Sequence, residues 1–421
     1  MSLRRLTAGV AETEITPPVG PSLVGELVPR VASGVRTPLL AKALALSDGD
    51  CTLALVTLDL VGLRREDADR LAGLIAEQTG LDPDAVMLLC SHTRAGAATV
   101  ALVGSADVDE GYVASLGPRI ASLVSEACAR LQDASLGLGQ ATLPHLLYNH
   151  RLLTRNMKAI TAWLGVPRDE VLAPEGPVDA AFSVLVVRNS RGHPLSLLWN
   201  VAADNRFSTS DQISADLPYL VQAAVNARIG RHVPVLALVG CGGNVSYTYD
   251  LEWTADMVAS AVMAVQLETS CNPLVRLGWA RETMVLPIRD AVRSRDRADI
   301  ELKLPQATEA FAYEADLLRQ EGAEAVPAGV QVFGLGSYAL VGLPGLPFVE
   351  FALAIKAQSP FRGTIVAGNA HDYLGYVITR RAFENGGFES WPTRTSRIGP
   401  GGGEFMAERA ITLLRRLQRL V

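Results

Sequence analysis

Ala85-Val86-Met87-Leu88-Leu89-Cys90, followed at once by Ser91-His92-Thr93-Arg94, is the stretch from which the fold is read. Six apolar residues without alternation, too few for a helix, predict a strand buried on both faces. Such strands belong to sheets covered by helices, so this run points to an α/β fold. The polar cluster at its end sits where α/β proteins place ligands and catalytic groups. Ala95-Gly96-Ala97-Ala98 beyond it is small and turn-prone. The plain structural alternative is a loop whose His and Arg only satisfy nearby backbone groups.

Working outward, residues 64–79 carry Ala68, Leu71, Ala72 and Ile75 at helical spacing, and Gly80 supplies a C-terminal cap. Residues 39–46 and 52–61 predict a β-hairpin, and 7–16 a strand ending at Pro17-Pro18. Downstream, 112–131 is an amphipathic helix striped by Leu116, Ile120, Leu123 and Val124. Further hairpins are expected at 182–188 with 194–201 and within 330–341, and strands at 234–239 and 364–367. Helices are expected at 217–229, 254–267, 347–357 and 404–420. Residues 150–180, rich in Pro, Gly and charge, predict a long surface excursion of the kind that forms lids or substrate walls. Residues 289–326 are the most charged and predict solvated helix, with an oligomer contact as the alternative. No sequence repeat is visible. The alternation of strands and helices, with hairpins between, predicts an α/β fold of mixed β-sheets flanked by helices, in one large domain over 1–421.

Composition bounds the function. The 421 residues carry a formal net charge of −6 and 49% hydrophobic side chains, enough for a sizeable core. No basic run interleaved with aromatics is present, so no nucleic-acid groove is expected. No apolar stretch reaches membrane-spanning length, and Arg4 and Arg5 are not followed by the apolar core of a signal peptide. Cys51, Cys90, Cys128, Cys241 and Cys271 are odd in number and widely spaced. They read as buried thiols of a reducing compartment, and a cytoplasmic location is expected.

Four polar loops follow apolar runs. They are 91–94, Asn200-Val201-Ala202-Ala203-Asp204-Asn205-Arg206, Gly240-Cys241-Gly242-Gly243-Asn244-Val245-Ser246, and Gly368-Asn369-Ala370-His371-Asp372-Tyr373-Leu374-Gly375-Tyr376. Strands sharing a sheet edge would bring them to one cleft. Ser246 has two readings, a substrate contact or nucleophile, and a residue that merely follows a tight turn. No His base lies near it in sequence, which weighs against the nucleophile. Asp59 and Asp216 read as structural, and His145, His150, His193 and His232 lack ligand spacing.

Ala8-Gly9-Val10, Glu14-Ile15-Thr16-Pro17-Pro18, Leu58-Asp59-Leu60-Val61-Gly62, Ser91-His92-Thr93, Gly342-Leu343-Pro344-Gly345, Gly386-Gly387-Phe388-Glu389 and Pro400-Gly401-Gly402-Gly403-Glu404 occur in this order over nearly the whole chain. In this the sequence resembles the neutral/alkaline (non-lysosomal) ceramidase family. The resemblance implies that family's catalytic domain, without the C-terminal immunoglobulin-like domain that many members carry. It also implies a zinc amidase site, in which two His, one Glu and one Tyr hold a metal that activates water and polarises the amide carbonyl. The sequence departs from that pattern at the metal. His92 and Tyr376 are kept, but Arg94 replaces the second His of His-Thr-His, Asp204 the next metal His, and Leu346 the Glu. A catalytic zinc keeps three protein ligands, and an Arg cannot lose its proton. Arg94, two residues from His92 on the same face of an extended strand, is expected to stand in for the lost positive charge and pair with Asp204. His371 and Glu350 are the candidates to restore a ligand set.

The expectation is an enzyme of hydrolase or amidase type with a degenerate zinc site and no cofactor. His92 would act as acid and base, Arg94 as anchor for a carboxylate or oxyanion, Asp204 to orient them, and Tyr376 as donor. Asn205, Asn244, Ser246, His371 and Phe388 are the substrate-binding candidates. The substrate would be a small amide, ester or amino-acid-derived molecule, taken through hydrolysis, elimination or cyclisation. The alternatives are a zinc N-acyl amidase with rearranged ligands and a non-catalytic ligand-binding protein. A homo-oligomer is the one macromolecular partner left open.

Overall fold

The computed structural model describes residues 3–20, 22–27, 30–105, 107–207, 210–289 and 304–421. The hairpins expected from sequence are each part of a larger unit that occurs three times. The first comprises β1 (Thr7–Glu14), β2 (Leu40–Ser47), β3 (Thr52–Leu58), α1 (Arg65–Thr79), β4 (Val86–Cys90) and α2 (Glu110–Ala129). The second comprises β5 (Gln132–Thr142), β6 (Ala181–Asn189), β7 (Pro194–Val201), α3 (Leu217–Ile229), β8 (Val235–Val239) and α4 (Leu251–Glu268). The third begins with β9 (Leu277–Pro287), α5 (Thr308–Glu321), β10 (Ala325–Leu335) and β11 (Tyr338–Gly342). It continues with α6 (Val349–Gln358), β12 (Gly363–Ala367), α7 (Arg380–Asn385) and α8 (Gly402–Gln418). In every unit the first three strands pair antiparallel, and the fourth returns through a helix to lie parallel to the third. The repetition is one of topology, which is why no repeat shows in the residues.

Units one and two join through β1 and β5 into a mixed eight-stranded sheet, β8-β7-β6-β5-β1-β2-β3-β4, and the third forms its own sheet, β9-β10-β11-β12. Fold class and sheet type are as the sequence implied. The large sheet curls until β8 touches β3 and β4. Buried Lys42 of β2 reaches the carbonyl of Val235 at 2.9 Å across that closure. The inner faces of all three units meet in one apolar cluster that includes Leu55, Leu89, Leu198, Leu236, Phe333 and Ile365. Helices cover the outer faces, α1 and α2 through Leu71 and Ile120, α3 and α4 through Val221 and Val258, α6 and α8 through Phe351 and Leu414. Cover on both sides explains why β2 is buried at every position.

Two long strands, β5 and β9, were not expected. β5 reads QDASLGLGQAT and lacks the β-branched signature of a strand. Its glycines answer to packing, since a Cβ at Gly137 would lie 2.2 Å from the carbonyl oxygen of Ser270. The excursion at 150–180 is more ordered than its composition suggests, with Arg151–Thr154 pairing to Ala159–Thr161 and to Val171–Pro174. Of the charged segment, 290–303 lies outside the described residues. Its helix α5 is not simply solvated, because Phe311 and Leu318 are buried. All five cysteines are free thiols, and no helix among the described residues is long and apolar enough to cross a membrane.

Candidate active site

The four polar loops converge because the short strands they follow end side by side. Cys90 N donates to Asn369 O (3.1 Å), Gly368 N to Val239 O (2.8 Å), Gly240 N to Val201 O (2.8 Å) and Asp204 N to Val245 O (3.2 Å). β4 stops at Cys90, and His92 adopts a left-handed backbone with φ 58°. His92 and Arg94 therefore do not share a strand face, as the sequence had suggested. They meet instead on one carboxylate supplied by the loop after β7.

His92 is fully buried, with 0% exposure. Its Nδ1 lies 2.5 Å from Asp204 Oδ1 and its Nε2 3.3 Å from Tyr373 Oη. The His92 and Tyr373 rings stack with centroids 5.7 Å apart. Arg94 Nη2 donates to Asp204 Oδ2 at 3.2 Å and lies 3.5 Å from Tyr376 Oη. Burial pushes the His92 imidazole below its ordinary pKa, so it is neutral at pH 7. Its Nδ1–H then donates to Asp204, and its Nε2 accepts from the Tyr373 hydroxyl. Burial alone would raise the Asp204 carboxyl, but His92 and Arg94 beside it hold it far below the carboxylate range. Burial raises both Tyr373 and Tyr376. Two glycines make room for this cluster. A Cβ at Gly62 would lie 2.6 Å from Tyr373 Cδ2, and one at Gly25 2.4 Å from Arg94 Cβ.

Arg94, Tyr373 and Tyr376 face a cavity of about 590 Å³, whereas His92 and Asp204 stand behind its lining. Trp163 of the excursion, Phe311 of α5, Phe388 and Trp391 give it an aromatic wall, and Arg206 also lines it. The wall is fastened from behind by buried Arg151, which pairs with Glu175 and Glu389. Glu389 also accepts from Thr161 Oγ1 at 2.9 Å. A second cavity, of about 780 Å³, opens around the β10–β11 turn, where β12 begins rather than ends, and carries no comparable cluster.

Of the substrate-binding candidates, Phe388 lines the cavity. The others are engaged elsewhere. Asn244 accepts from Val349 N at 2.9 Å and donates to Glu350 Oε2 at 2.9 Å, at the start of α6. Asn205 Nδ2 donates to Ala215 O at 3.4 Å. His371 lies 2.5 Å from Gln331 Oε1, with its pKa pushed by burial down to about 3. Ser246 Oγ lies 2.8 Å from His150 Nδ1, and His150 Nε2 lies 3.3 Å from Glu389 Oε1. The His that sequence proximity could not supply to Ser246 thus comes from the excursion, although neither residue lines the cavity. Sequence reasoning passed over Tyr373, Arg206 and Trp163. Tyr373 and Arg206 stand inside the quoted loops, which was their only signal.

The zinc site that the resemblance implies does not fit these residues. Among the described residues no three His, Cys, Asp or Glu side chains are grouped to hold a metal ion. Leu346 is buried opposite Tyr376, and Glu350 and His371, the candidates for repair, are bound to Asn244 and Gln331. The Arg94 guanidinium holds the fixed positive charge beside Asp204, and it has no lone pair to offer a metal.

The mixed α/β fold is that of neutral ceramidase. The crystal structure of neutral ceramidase from Pseudomonas aeruginosa matches 99% of this chain and 75% of its own, with a TM-score of 0.74 at 16% identity. A ceramidase complexed with C2 matches 99% of this chain and 76% of its own, with a TM-score of 0.73, also at 16% identity. No family model and no curated protein matches the sequence. The likeness is one of fold.

Proposed function

We propose that the chain is an acid–base enzyme for a small acyl substrate, an amide, ester or amino-acid derivative, working through Tyr373, His92 and Asp204 beside Arg94. One observation supports this above the rest. A continuous run of hydrogen bonds, Asp204 to His92 to Tyr373, ends on an aromatic-walled cavity. Because His92 is buried, the hydroxyl of Tyr373 is the group that touches substrate, and His92 is a positioning and proton-storing residue behind it.

As a substrate proton passes to Tyr373 Oη, the tyrosine's own proton passes to His92 Nε2, and Asp204 stabilises the imidazolium through Nδ1. Moving both protons together avoids a free phenolate, which burial disfavours. Run backwards, the relay protonates a leaving group. Arg94 stays charged and offers its guanidinium to negative charge that develops near Tyr376. Hydrolysis uses water as the proton source, whereas elimination or cyclisation uses the substrate's own proton.

The test is turnover of a panel of N-acyl amino acids, aryl esters and short N-acyl amides, followed by mass spectrometry. Tyr373→Phe keeps the stacked ring and removes the hydroxyl. It is expected to lower kcat by about 100-fold or more, with only the modest fall in Tm that the loss of one buried hydrogen bond brings. Full activity in that variant refutes the relay, and no turnover of any panel member favours the ligand-binding alternative.

A further inference from the structure

The cavity has more positive charge and more hydrogen-bond donors than the described residues satisfy. Arg30, Arg94 and Arg206 line it, against Glu26 on the lining and Asp204 behind. Arg30 is spent on the backbone carbonyls of Ser210 and Arg94, and Arg94 on Asp204. Arg206 has no side-chain hydrogen bond or ion pair among the described residues. Its Cζ lies 4.7 Å over the ring of Trp163, a cation–π contact that uses none of its N–H donors. Arg30 Nε, Arg94 Nε and Trp391 Nε1 are buried donors on the same cavity without acceptors among the described residues. Such groups are costly when left unpaired. Among the described residues, three guanidiniums face two carboxylates, one negative charge short.

The apolar half of the cavity is equally specific. Trp163 stands edge-on to Phe388 at 4.7 Å, and Phe388 lies 5.2 Å from Trp391. That surface suits a flat or short apolar group. A neutral long-chain amide would leave Arg206 unpaired, and a phosphate dianion would bring more charge than is lacking.

We propose that the cavity binds a monocarboxylate bearing an aromatic or short acyl group, of the N-acyl amino acid type, with the carboxylate on Arg206 and the apolar group against Trp163 and Phe388. The proposal rests on the reading of this cavity as the reaction site and names the substrate class for it. A planar guanidinium meets a carboxylate through two parallel hydrogen bonds. The scissile acyl bond then lies between the two anchors, within reach of Arg94 and Tyr373.

Calorimetric binding of N-benzoylglycine, its primary amide and phenyl phosphate tests this without requiring turnover. N-benzoylglycine is expected to bind about tenfold or more tighter than the amide, and tighter than phenyl phosphate. Arg206→Met abolishes the preference for the acid over the amide, and Arg206→Lys restores part of it. Trp163→Ala weakens acid and amide alike. Melting temperatures of the variants report whether each is folded. Equal binding of acid and amide, binding of neither, or a preference that survives Arg206→Met overturns the proposal. Tighter binding of phenyl phosphate overturns the choice of a monocarboxylate. Selective binding of the acid with no turnover keeps this inference while the acid–base reading fails. Turnover with no preference for the carboxylate does the reverse.

Discussion

Arg94 is the guanidinium on which the proposed chemistry depends. It takes Asp204 as partner, meets the hydroxyl of Tyr376, and leaves no lone pair where a dication would need one. Its meeting with Asp204 was readable from sequence, because a fixed cation and a carboxylate at neighbouring motif positions have an obvious match. Tyr373 was not readable as the third member. It depends on Gly62 yielding space and on the register of a loop 281 residues from His92. If Arg94 blocks a metal site that is otherwise close to complete, Arg94→His with Leu346→Glu should create one. With His92 and Tyr376 it supplies four donors of the kinds zinc accepts. Zinc should then raise the Tm of the double variant by several degrees, reversed by chelator, and leave the Tm of the parent chain unchanged. Equal responses of the two proteins would show that Arg94 is not the obstacle.

Among the elements, helices with clear periodicity were legible to within a few residues, and α3 at Leu217–Ile229 coincides with its expected span. β5 was not, because its glycines serve close approach to the end of α4 rather than strand propensity. The excursion was read as a wall from composition alone, and Trp163 makes it one. What holds that wall could not be read, since Arg151 and Glu389 are joined only by folding. The pair makes a pH prediction. Burial would raise the Glu389 carboxyl, but Arg151 outweighs it and holds it down to about 2, from an ordinary 4.5. A depressed acid stabilises the fold above its unfolded pKa and loses that contribution as pH falls through the folded one. Glu389 therefore contributes on the order of 1–3 kcal/mol at pH 7, fading between about pH 4.5 and 2. In urea unfolding, Glu389→Gln should be clearly less stable than the parent at pH 7, with the gap closing towards pH 2–3. A gap independent of pH would mean that charge is not what fastens the wall.

For the whole molecule, three units of like topology share one interior. Leu236 of the second unit is 0% exposed and packs in the cluster that also takes Leu89 of the first and Ile365 of the third. A cavity there is felt by all three. Leu236→Ala should cost about 2–4 kcal/mol and lower a single thermal transition without splitting it. Two resolved transitions would show that the units unfold independently. The α/β class, the mixed sheets, most helices and the four polar loops follow from local pattern, because burial and periodicity leave their mark within a dozen residues. The curling of the large sheet, the threefold topology, the burial of His92 behind Tyr373 and the seating of Arg206 over Trp163 do not. Those depend on contacts between residues far apart in the chain, and close packing alone selects which of them meet.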